Sequence, residues 1–226
     1  RGVARGAPRT GGRVIEDLSA SLKALFDLDG VPRELAQADV VFDRPDDKFA
    51  PSASTLNLFL YDVREDVALR SNEPVRLPRP PDEVSIRPPA MRIACSYLVT
   101  AWPVGGPESA LQEQRLLGLA LAVLRGHPIL PAQALQGRLK DPPFPVALTF
   151  AQDDDALAKP GEFWTAIGGR LRPSMTLRAT IAIDAVEPAV IDAHVVTLHE
   201  VRVADRSAAA AKRTSRPTPA RTRRAP

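Results

Sequence analysis

The 226-residue sequence predicts an α+β fold: a mixed but mostly antiparallel sheet with helices packed mainly on one face. Three observations carry that reading. Strand-like and helix-like runs follow the order α-β-β-β-α-β-α-β-β, so strands are mostly neighbours in sequence and do not alternate strictly with helices. The runs at 55–63 and 91–103 alternate with period two and are apolar on both faces, as strands covered from two sides are. The segments at 14–28 and 105–128 have helical spacing and enough apolar surface to cover a sheet.

The elements follow in order. In VIEDLSASLKALFDL (14–28), Ile15, Leu18, Leu22, Leu25 and Phe26 recur at helical spacing. Glu16 and Asp17 lie in the first turn, where carboxylates favour the helix dipole, and Gly30 and Pro32 end the helix. ADVVFD (38–43) is a short strand, and RPDDKFAPSAS (44–54) is a turn-rich loop. In TLNLFLYDV (55–63), Leu56, Leu58 and Leu60 share one face while Asn57, Phe59 and Tyr61 share the other, which predicts a central strand.

The segment 66–89 contains Pro74, Pro78, Pro80, Pro81, Pro88 and Pro89. Proline lacks an N–H and fixes φ, so neither a helix nor a central strand fits; an edge strand or an extended arm lying on a neighbour does. MRIACSYLVTAWP (91–103) is a long strand. The helix over 105–128 is polar through Arg115 and then apolar almost all round, which predicts a buried C-terminal half, and Gly126 and Pro128 end it. PAQALQG (131–137) adds a short helical turn, FPVALTFAQ (144–152) a strand, DDDALAKP an acidic turn and GEFWTAIGG (161–169) a short helix. SMTLRATIAIDAV (174–186) alternates, with Met175, Leu177, Ala179, Ile181 and Ile183 inward. HVVTLHEVRV (194–203), after a loose EPAVIDA linker, is either the last strand of the sheet or an arm that pairs with a neighbour.

The charge is divided along the chain. Residues 1–13 carry +4, residues 14–204 carry −7 and residues 205–226 carry +6. The leader 1–13 is rich in Gly and Arg, has no hydrophobic period and reads as disordered; the tail 205–226 reads as a disordered basic segment. The chain begins at Arg1, which fits either a shortened chain or a reading frame set too far upstream. The organisation expected is therefore a disordered leader at 1–13, a folded domain at 14–186, a terminal strand or arm at 187–204 and the basic tail at 205–226. No run reaches the roughly 18 apolar residues of a membrane-spanning helix. The single cysteine, Cys95, excludes an intrachain disulfide and fits a buried position in a strand.

Enzyme chemistry finds no convergent set of groups. There is no GxSxG, HExxH or CxxC, and His127, His194 and His199 are not spaced as metal ligands. The carboxylate clusters Asp46–Asp47, Asp62–Glu65–Asp66 and Asp153–Asp154–Asp155 sit in turns, without calcium-loop spacing, and read as solvated faces. No catalytic residue, metal or cofactor is expected. The basic tail offers a second reading, a nucleic-acid-binding or other interaction module. It has no interleaved aromatics, so base stacking is not available and nucleic acid is not the expected partner.

Several separated segments carry a resemblance. VIEDLSASLKALF, NLFLYDVRED followed by ALRSNEP, MRIACSYLVTAW, LQEQRLLGLALAVLRGHPIL and FWTAIGGRLRPSMTLRATIAID resemble, in this order and over 14–186, the cap or tube-terminator proteins of extracellular contractile injection systems of the antifeeding-prophage and virulence-cassette type. The resemblance implies a non-enzymatic, phage tail-terminator-like protein. Such a protein forms a homohexameric ring on the last layer of inner tube and contractile sheath, ends polymerisation and sets particle length. It implies a place in the bacterial cytoplasm, within an assembled phage-tail-like particle that can be released, with no membrane partner. Interface candidates are Arg64, Glu65, Asp66 and Arg70 at the end of the 55–63 strand, and Val195, Thr197, His199 and Val201 on one face of the last strand.

Overall fold

The computed structural model describes residues 13–79, 83–152, 157–184 and 191–194; for 76–79, 83–87 and 191–194 it describes the backbone alone. Its element order is α1 (Val14–Phe26), α2 (Arg33–Ala36), β1 (Asp39–Val41), β2 (Thr55–Glu65), β3 (Val75–Arg79), β4 (Glu83–Arg87), β5 (Met91–Trp102), α3 (Ser109–Gly126), β6 (Ala147–Phe150), α4 (Pro160–Ala166), β7 (Ser174–Ile183) and β8 (Ile191–His194). Short 3₁₀ turns lie at Val67–Leu69 and Gly137–Lys140.

The main sheet has the order β1-β2-β5-β7-β6. Only the β1–β2 pair is parallel; the other pairs are antiparallel. On one face, Leu56 and Leu58 of β2, Cys95, Tyr97, Val99 and Ala101 of β5, and Leu177 and Ala179 of β7 are all fully buried. Against them α1 sets Leu18, Leu22, Leu25 and Phe26, and α3 sets Leu116, Ala120, Val123 and Leu124. At about 1.5–3 kcal/mol per fully buried large side chain, the four α1 residues are the main reason that this 13-residue helix stays docked. Tyr97 adds a tether across the interface, its hydroxyl 3.1 Å from Ser19 Oγ.

The mixed, mostly antiparallel sheet with its helices mainly on one face is as the sequence predicts: α1 and α3 share one face, and only the short α4 lies on the other. α4 covers part of the second face, where Trp164 is buried and Phe163 meets Tyr61 edge-on at 5.4 Å. The 44–49 loop closes the same side by setting Phe49 against Trp102 at 4.8 Å.

A β-bulge resolves an apparent conflict in β2. Leu60 pairs with Tyr97 and Asp62 with Ser96, so Tyr61 is the extra residue. Strict alternation from Leu56, Leu58 and Leu60 would aim the Asp62 carboxylate into the helix-covered core. The inserted residue flips the parity, so Asp62 and Arg64 fall on the second face and Val63 and Glu65 take the core side.

The proline-rich 66–89 segment, expected to be irregular or an edge strand, forms the β3–β4 hairpin of a second sheet with the order β3-β4-β8. Pro78 lies in β3, the edge strand, where a missing N–H costs no ladder bond on the open side. β8 starts at Ile191, inside the EPAVIDA stretch that reads as a linker, and pairs with β4 of the same chain. The two sheets share one order. β2 leads through the 66–74 turn to β3, β4 leads to β5 and β7 leads to β8, so the three central strands each run on into the matching strand of the second sheet.

Other boundaries shift modestly. The 144–152 strand shortens to β6, which ends where Ala151 takes φ 51°. The expected burial of the C-terminal half of α3 holds for one stripe only, since Leu121 is exposed.

Candidate functional site

The charges that end β2 are tied to one another. Arg64 pairs with Asp62, two residues away on the same face. Arg70 grips Glu65 with two bonds, Nε to Oε1 at 2.8 Å and Nη2 to Oε2. That hydrogen-bonded cation holds the Glu65 carboxyl below its ordinary range, and the pairing raises Arg70 in turn. Asp66 gives its backbone N–H to Arg92 O at 2.8 Å, which continues the β2–β5 ladder one step beyond the last strand residue. Arg64, Glu65, Asp66 and Arg70 thus lie together, as the sequence places them, but three of the four spend charge within the chain. Val195, Thr197, His199 and Val201 lie outside the described residues.

This end of the sheet also exposes apolar side chains. Val63, Val67, Leu69 and Met91 are 45–65 % exposed. Val67 follows the residue that makes the last β2–β5 bond, and Met91 precedes its partner on β5. A cleft of about 340 Å³ opens beside them, lined by Glu65, Arg70, Ser71, Asn72 and 89–92. Arg92 lays its guanidinium 4.3 Å from the centroid of the exposed Phe144 ring, and its Nε is buried without a hydrogen-bond partner. Sequence reasoning singled out the charges and missed these residues. The available signal was Val67-Ala68-Leu69, an apolar run inside a proline-rich segment with no core to join.

The opposite end of β5 carries a second such surface. Arg172 stacks on Trp102 at 3.4 Å from the ring centroid and bonds Glu113 at 2.8 Å, so the loop before β7 is fastened to α3. Around this rigid cluster Val104, Leu111 and Leu171 are 51–66 % exposed. A shallow cleft of about 390 Å³ lies beside it, lined by Pro45–Asp47, Phe49, Trp102 and 170–172.

No group of three or more metal-ligating side chains occurs among the described residues, and no described helix is long and apolar enough to cross a membrane. Cys95 is buried, and burial raises its thiol to about 11. His127 turns Nδ1 toward Val123 O at 2.9 Å and serves as part of a helix end. Asp46 accepts the Lys48 N–H and pairs with Arg44, while Asp153–Asp154–Asp155 lie outside the described residues.

The model of the Pvc16 N-terminal domain matches residues 14–219. The chain belongs to the Pvc16 N-terminal domain family. This member is similar in fold to the sheath/tube terminator of a PVC extracellular contractile injection system in its extended state, with a TM-score of 0.57 and 23% identity over 88% of this chain. It is also similar to the tube-terminating cap of the anti-feeding prophage, with a TM-score of 0.59 and 22% identity over 83% of this chain. The family member spans 65% and 61% of those two chains, less than two thirds of either. No curated protein sequence matches it. The family and fold implied by the sequence resemblance are thereby borne out, and the structural neighbours are tube and sheath terminators of contractile injection systems.

Proposed function

We propose that this protein is a structural cap that ends the tube and sheath of a contractile injection system. The observation that carries the proposal is the terminator fold, matched over more than four fifths of this chain in two such caps. The described surface supports it, with apolar residues gathered at both ends of the sheet. On this reading the chain forms a homohexameric ring on the last layer of inner tube and sheath, stops their growth and so fixes particle length. The ring assembles in the bacterial cytoplasm and leaves with the particle. Its work is binding, with no catalytic step, cofactor or metal. On this reading the segment 187–204, which contains β8 paired within the chain, contacts a neighbouring copy through Val195, Thr197, His199 and Val201.

The test is to express the particle's sheath, tube and baseplate proteins with and without this chain and measure lengths by electron microscopy. Particles of uniform length should become variable when the chain is omitted. A length distribution that stays the same overturns the proposal.

A further inference from the structure

We draw no further inference here: the strongest candidate, the exposed apolar patch of Val67, Leu69 and Met91 where β2 hands over to the 66–74 turn beside the start of β5, carries nothing, because nothing in the structure shows what covers it.

Discussion

Replacing Gly137 with alanine tests the most tightly constrained turn of the fold. Gly137 has φ 53°, and a Cβ there would fall inside the van der Waals envelope of the Asp17 carboxylate. That carboxylate accepts the Arg138 N–H at 3.1 Å. Ser21 Oγ, one turn along α1, accepts the Gln136 N–H at 2.8 Å and donates to Asp17 O at 2.6 Å. Two α1 side chains therefore hold the 136–138 turn against the helix. Alanine adds about 1–2 kcal/mol for a left-handed backbone. It also displaces the carboxylate from its N–H, a charge-assisted bond that contributes about 1.5–3 kcal/mol. A stiffer unfolded chain returns about 0.4–1 kcal/mol. The net cost is about 3 kcal/mol, or about 6–12 °C in melting temperature for a domain of this size. Urea denaturation of the full chain measures it. The background Asp17→Ala separates the two causes, because the clash partner is then gone and Gly137→Ala should cost only the backbone part. A cost under about 0.5 kcal/mol in the natural background, or full additivity with Asp17→Ala, refutes the reasoning.

Other outcomes follow from the same geometry. Arg172→Met removes the guanidinium from Trp102 and leaves the shielded Glu113 carboxylate unpaired, so it should cost about 3 kcal/mol and shift tryptophan emission. The Cys95 thiol, pushed up to about 11 and buried, should react with a disulfide reagent at pH 8 at least about a hundredfold more slowly than in the denatured chain. Carbon-detected NMR should find the Glu65 carboxyl titrating below the ordinary glutamate value, and Arg70→Met should return it to that value. Because the folded pKa is depressed, the stabilisation from this pair is present above the ordinary glutamate pKa. It fades as pH falls through the depressed value.

The legibility of the fold follows the reach of each signal. α1, β5 and β7 were readable because their periodicity is local: Leu18, Leu22 and Leu25 mark a helix, and Leu177, Ala179 and Ile181 a strand, before any partner is known. The bulge at Tyr61 was not readable, because the alternation from Leu56 to Leu60 runs smoothly into it and only the β5 register reveals the slip. The β3–β4 hairpin was hidden by its prolines, which are tolerated only because β3 is an edge, a property of the sheet and not of the segment. The interaction surface divides the same way. The charges at Arg64 to Arg70 stand out in sequence, but whether a charge is satisfied depends on its spatial partner, and Arg64 and Arg70 find theirs a few residues away. The exposure of Met91 could not be read from pattern, since it is an apolar residue in an apolar strand.

The shared strand order of the two sheets has a mechanical consequence. A pull on the β3-β4-β8 sheet along its strands travels down covalent chain into β2, β5 and β7. Because β2, β5 and β7 are loaded together, such a force moves them as one block, and the ladders it shears are those to the edge strands β1 and β6. The second sheet is thus a handle anchored in the core, able to carry tension into the body without peeling its own strands away.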